Sequence, residues 1–298
     1  MMHNHDRGIN ERNIVISIFL NLVITAAEAV GGLLAGSLAL VSDALHNFSD
    51  SISLIISYIA LKLSQREKSL RLTYGHKRAE ILAALFNASV LLVVIFFLFR
   101  AALERIRHPV PIQGTLMIAV AFIGLIANLI AVLLLRKDSR KNLNIKSAYL
   151  HLLADTFSSV GVVVGGILII LFGIKWIDPI LTVLIGLYVL KESYDIIKQT
   201  IKILMHAVPE HINILDIQNA VEELPEVSNL HHVHVWQVTE SEIHFEGHVD
   251  ICEDLNISRI ADLNRKIEKL LRERFGIDHV TIQVEFGTCA DKKIIKEC

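Results

Sequence analysis

Asp43-Ala44-Leu45-His46-Asn47-Phe48-Ser49-Asp50 lies inside an apolar run, Asn13–Leu61. That run contains no Lys or Arg, and its only acids and histidine are Glu28, Asp43, His46 and Asp50. A helix needs about 20 apolar residues to cross a bilayer, so residues 13 to 61 hold two spans. The small residues Gly31-Gly32 through Gly36-Ser37 mark the break between them. Ionisable side chains inside such spans are costly and point to function. His46 and Asp50 stand four apart, so a helix presents both on one face.

Working outward, the same His-x-x-x-Asp spacing recurs at His151-Leu152-Leu153-Ala154-Asp155, at the head of another apolar stretch. A single such pair can be a local hydrogen bond within a bundle. Two of them on opposed helices bring together two imidazoles and two carboxylates, a donor set suited to tetrahedral Zn²⁺ and lacking the thiolates expected for Cu(I). Two Asp with Zn²⁺ and two neutral His sum to zero charge, as do two Asp with two protonated His. Exchange of one Zn²⁺ for two protons therefore keeps a buried site neutral in both states. Imidazole has the pKa for that exchange near neutral pH.

The rest of the chain fits a membrane protein. Of its 298 residues 53% are hydrophobic and 20% charged, and mean hydropathy is +0.51. These values exclude disorder, collagen, a disulfide scaffold and a small soluble domain. The predicted spans are about 14–34, 38–62, 79–100, 113–135, 147–172 and 177–198; the last carries Lys191, Glu192 and Asp195 at its far end. The short loops 62–78 and 136–146 hold eleven Lys and Arg against four on the other side, which predicts both loops and both termini in the cytoplasm. The polar start, residues 1–13, lacks the apolar stretch of a signal peptide.

Residues 206–298 differ in kind. They hold 18 Asp and Glu against 9 Lys and Arg, whereas residues 1–205 hold 13 against 20. An acidic tail suits cations and does not suit nucleic acid. Eight of the 14 histidines and all three cysteines, Cys252, Cys289 and Cys298, lie there; an odd number without a dense pattern predicts free thiols in a reducing compartment. Hydrophobic spacing predicts a helix over Pro209–Leu224, strands over Leu230–Val238 and Glu242–Ile251, a helix over Asn256–Phe275 stopped by Gly276, and a strand over His279–Phe286. The expected fold is thus an all-α six-helix transmembrane domain, residues 14–205, preceded by a cytosolic N-terminal segment, 1–13, and followed by an α+β (αββαβ) cytosolic domain, 206–298.

Several stretches together resemble the cation diffusion facilitators: Gly36–Asp50 (GSLALVSDALHNFSD), Tyr74–Leu85 (YGHKRAEILAAL), His151–Asp155 (HLLAD), Leu230–Trp236 (LHHVHVW) and Thr281–Glu285 (TIQVE). The likeness runs from about residue 14 to 290 and is similar to the zinc-preferring branch. It implies a homodimeric exporter of divalent metal driven by proton antiport, embedded in the cell (inner) membrane, with a metallochaperone-like cytosolic domain. Zn²⁺ is then a substrate and a ligand of that domain, and no cofactor is expected. The implied metal ligands are His46, Asp50, His151 and Asp155 in the membrane, and His231, His248 and Glu285, one on each predicted strand, in the tail. His244 and His248 share a face but stand about 13 Å apart, too far for one ion. Some members carry a further site in the loop between helices 2 and 3; here only His76 stands at a matching position, with Leu72 in place of the other histidine.

Other polar residues have competing readings. Glu28 and Asn21 can line a water-filled path or bond between helices. Asp43 can guide ions or sit at the outer interface, and Asn128 suits an interhelical bond. His232, His234 and Cys289 can extend the tail site, while Gln283 stands where some members have another histidine. His3 and His5 read as terminal decoration. Export of cadmium, cobalt, nickel, manganese or iron is the nearest alternative function. An intramembrane metalloenzyme is the alternative of another class. It would need an open metal position and a general base, and four protein ligands close the shell.

Overall fold

A computed structural model describes residues 11–64, 69–136, 143–287 and 294. Its described elements are α1 (Glu11–Ala35), α2 (Leu38–Ser64), α3 (Ala79–Arg107), α4 (Gly114–Leu135), α5 (Leu143–Phe172), α6 (Ile177–Leu204), α7 (Ile214–Glu222), β1 (Val227–Gln237), β2 (Ile243–Ile251), α8 (Ile257–Phe275) and β3 (His279–Glu285). They form two compact units. One holds residues up to Tyr58 with Phe86–Ile196; the other holds Ile59–Leu85 with Ile197 onward. His3, His5, Cys289 and Cys298 lie outside the described residues.

In the first unit, α3, α4 and α5 are each long and apolar enough to cross a membrane. Within it, α4 packs against α1 and α5. Phe86, Phe96, Phe97, Leu133, Phe157 and Phe172 all point outward, an apolar exterior that water would not tolerate and hydrocarbon would. Small residues let the helices approach closely. A Cβ on Gly166 would meet Ile118 of α4, and one on Gly114 would meet Ile170 of α5.

The break between α1 and α2 sets the orientation of the site. Gly36 takes a left-handed φ of 69°, and Ser37 N–H donates back to Gly32 O at 2.9 Å, closing α1. Ser37 Oγ then accepts from Leu40 N–H, the usual role of a serine N-cap. Asp178, fully buried in the first turn of α6, accepts from the N–H groups of Leu38 (2.8 Å) and Ala39 (3.2 Å) and from the Ser37 hydroxyl. A carboxylate there also matches the positive end of the α2 dipole, so α6 is tied to α2 at one end.

In the second unit β1, β2 and β3 form one sheet in that order, β1 with β2 antiparallel and β2 with β3 parallel. Its core joins Ile217 and Val221 of α7, Leu230, Phe245 and Val249 of the sheet, and Leu263, Ile267 and Leu271 of α8. The helix α7 is shorter than the predicted Pro209–Leu224. Asn213 accepts from Leu215 N–H and starts it there, while Pro225 discourages helical backbone at Leu224. For α8, Asn256 is the N-cap and Gly276, at φ 67°, the stop. The strand β1 carries an irregularity between His231 and His234 that the alternating pattern concealed: His232 adopts a left-handed φ of 51°. Val233 N–H there donates to Ile294 O at 2.8 Å instead of to a strand.

Candidate metal sites

In the first unit α2 and α5 bring His46, Asp50, His151 and Asp155 together with imidazoles and carboxylates alternating. His46 Nε2 is 3.6 Å from Asp50 Oδ2 and 3.6 Å from Asp155 Oδ1. His151 Nε2 is 3.0 Å from Asp50 Oδ2 and 3.7 Å from Asp155 Oδ2. One donor atom from each of His46, His151 and Asp155 lies within 4.8 Å of the others, and Asp50 closes the ring through its contacts to both histidines. Burial is uneven: the His46 and Asp155 side chains are 5% and 4% exposed, those of Asp50 and His151 29% and 35%. Both His46 nitrogens and Asp155 Oδ1 are buried without a hydrogen-bond partner. Buried polar atoms in native proteins are rarely left so, and an ion bound among them would satisfy all three. A cavity of about 410 Å³ opens beside them, lined by His46, Asp155, Ser158, Gly161, Leu181 and Tyr188 among others.

The neighbouring polar residues bond between helices. Asn47 donates to Glu28 Oε2 at 3.0 Å. The other Glu28 oxygen sits where a Cβ on Gly124 would fall, 2.4 Å away, so only glycine leaves it room. Asp43 is buried and accepts from Ser158 at 2.8 Å. Asn21 donates to Ser51 at 3.4 Å, and Asn128 to Ser159 at 3.5 Å. Sequence reasoning missed one pair beside the site on α6. Glu192 Oε2 lies 4.0 Å from His46 Nε2, and Tyr188 donates to Glu192 Oε1 at 2.8 Å. Their i, i+4 spacing was the available signal, but it does not say which way α6 turns.

In the second unit His231 and His248 are register partners across β1 and β2, and Glu285 of β3 reaches both. Glu285 Oε2 is 3.5 Å from His231 Nε2, and Oε1 is 2.8 Å from His248 Nδ1. One donor from each lies within 4.8 Å of the others. Burial alone would raise the Glu285 pKa. Its hydrogen bond from Gln283, at 2.7 Å, and the neighbouring His248 and His231 outweigh burial and leave the pKa below its ordinary value. His231 is buried with neither ring nitrogen hydrogen-bonded. The β1 irregularity swings His232 to 4.6 Å from the His248 ring, centroid to centroid, whereas His234 is exposed. Gln283 bonds to Glu285 and supplies no imidazole. His244 stands apart, 3.0 Å from Glu242 and with its ring tilted against that of His279, 4.8 Å between centroids. His76 has a buried, unbonded Nδ1, and among the described residues it joins no group of three metal donors.

An apolar helical domain with a half-buried ring of histidines and carboxylates, followed by a small α+β domain with a second such cluster, is the arrangement expected of a membrane cation transporter. Residues 14–205 match the family described as cation efflux transmembrane domain, and 209–286 match the cation efflux protein cytoplasmic domain. The chain is 38% identical over 287 residues to a cadmium, cobalt and zinc/H(+)-K(+) antiporter of Bacillus subtilis, covering 96% of this chain and 92% of that protein. It is 35% identical to the metal cation efflux system protein CzcD of Cupriavidus metallidurans (96% and 90%) and 36% identical to the zinc transporter ZitB of Escherichia coli (94% and 89%). The chain belongs to the cation efflux family, the cation diffusion facilitators, a family of transporters and not of enzymes.

Proposed function

We propose that this protein exports Zn²⁺ from the cytoplasm in exchange for protons, through His46, Asp50, His151 and Asp155. The observation that carries the reading is the alternating ring, with contacts of 3.0 to 3.7 Å and unpartnered buried nitrogen and oxygen atoms. Four donors of this kind suit zinc. The two carboxylates cancel the charge of the ion, and protonation of the two imidazoles cancels it when the ion leaves. Each state is thereby spared the cost of a buried net charge. Relatives named for cadmium, cobalt and zinc support a wider divalent range as the second reading.

In this reading all six helices α1–α6 span the membrane within residues 14–205, segment 1–13 is cytosolic, and 206–298 is an αββαβ domain in the cytoplasm. Both termini face inward, the membrane is the cell's inner one, and two chains form the working dimer. His231, His248 and Glu285 hold zinc in the tail. The experiment is flux through purified protein in vesicles under an imposed pH gradient. Zinc movement should reverse direction when the gradient is reversed. Movement indifferent to the gradient would refute proton exchange.

A further inference from the structure

A carboxylate that the charge balance does not use, Glu192 of α6, stands beside the ring. Two donors bound to one ion at about 2.0–2.2 Å stand no more than about 4.4 Å apart. The four ring contacts meet that bound, and so does the 4.0 Å between Glu192 Oε2 and His46 Nε2; Glu192 stands outside the set of donors that all lie within 4.8 Å of one another, so its side chain has to shift toward His151 and Asp155 to share their ion. Glu192 is 35% exposed in its side chain, on a par with His151 and Asp50 and unlike buried His46 and Asp155. It therefore lies on the more open side of the site. It is also held in place: Tyr188, one turn earlier on α6, donates to Oε1 at 2.8 Å, and the Tyr188 ring packs edge-on against His46, 5.9 Å between centroids. Oε2 is left directed at the ring.

Resting on the four-ligand reading above, we propose that Glu192, anchored by Tyr188, is a fifth, oxygen donor that sets which metals the site accepts. Zinc is complete with four donors. Cobalt and other ions that favour more, and more oxygen-rich, ligands gain from a fifth. Asp50 and Asp155 already match a divalent charge, so drawing Glu192 in adds a donor together with one extra negative charge, borne on the more open side of the site rather than beside buried His46 and Asp155. The site then serves a small tetrahedral ion and a higher-coordinate one with the same helices, by leaving Glu192 aside or drawing it in.

The test uses full-length protein in vesicles, comparing Glu192→Gln, Tyr188→Phe and Asp155→Ala. Glu192→Gln should raise the cobalt KM about tenfold or more, the range seen when a metal site loses a supporting group, and raise the zinc KM much less. Tyr188→Phe leaves the carboxylate but frees it, and should move the cobalt-to-zinc ratio the same way by a smaller factor. Bound cobalt gives an independent readout in protein whose tail site is removed by His231→Ala with His248→Ala. Its visible absorption should strengthen in Glu192→Gln, as the ion falls from five donors to a four-coordinate shell. Equal shifts for cobalt and zinc, or an unchanged cobalt spectrum, would overturn the proposal. Zinc flux surviving Asp155→Ala would instead overturn the four-ligand reading on which it rests.

Discussion

The two metal-donor clusters use the same chemistry in opposite architectures. The helical one takes its donors in pairs, His46 with Asp50 and His151 with Asp155, each pair set by one helical turn. The tail cluster takes His231, His248 and Glu285 from three different strands, one donor each. The helical ring has two carboxylates and matches a divalent ion in charge; the tail has one and does not. A cluster that must be emptied and refilled inside an apolar domain needs a neutral state with and without its ion. The tail cluster, drawn from all three strands, is not part of a transport path in the proposed reading, and metal bound there would stiffen the fold.

Breaking the charge match should give the largest effect. Asp155→Ala removes one of two carboxylates from a site where it is 4% exposed. Zinc flux should fall by at least about a hundredfold, at the upper end of losses from disturbed metal sites, while circular dichroism and dimer size stay unchanged. Retained flux in the folded variant would erase the distinction between the two clusters.

Breaking the tail cluster should leave more of the activity. His231→Ala with His248→Ala should abolish the zinc-dependent rise in melting temperature of the tail, because only binding to the folded state produces that rise. Zinc flux should slow by less than about tenfold, the lower end of such losses. A full loss of flux would make the tail an obligatory part of the path.

The smallest effect sharpens the contrast through pH. The depressed pKa of Glu285 means that its carboxylate stabilises the metal-free fold above the unfolded value of about 4.3, and that this contribution is lost as pH falls through the lower folded value. Glu285→Gln should therefore flatten the acid limb of the tail's melting profile by a few degrees, on the scale of about 1 kcal/mol for a domain of this size. An acid limb identical to that of the parent protein would show that Glu285 is not held by its neighbours.

These architectures also explain what could be read from the sequence. His46, Asp50, His151 and Asp155 were legible because i, i+4 spacing is a local rule, and because charges stand out in apolar spans. The break between α1 and α2 was legible in Gly31–Ser37, and the stop of α8 in Gly276, for the same local reason. Glu192 was visible only as a charge near the end of a span, since its approach to His46 depends on how α6 is rotated against α2. Asp178 escaped notice because a cap supplied from 140 residues away leaves no local pattern. In the tail, strand alternation indicated that donors on different strands could meet. The turn at His232 was hidden because an irregular residue among histidines and valines looks like an ordinary strand.

In the proposed exchange, protons and zinc compete for the helical ring. Binding of the ion by His46 and His151 would need neutral imidazoles, and acid protonates them. The direct measurement is zinc titration of purified full-length protein carrying His231→Ala and His248→Ala, between about pH 7.5 and 5.5, spanning the reference imidazole value of about 6.5. With both histidines exchanging protons, apparent affinity should fall toward about a hundredfold per pH unit. With His151→Ala it should bind more weakly and fall about tenfold per unit. An affinity that does not change with pH over that range would contradict the account.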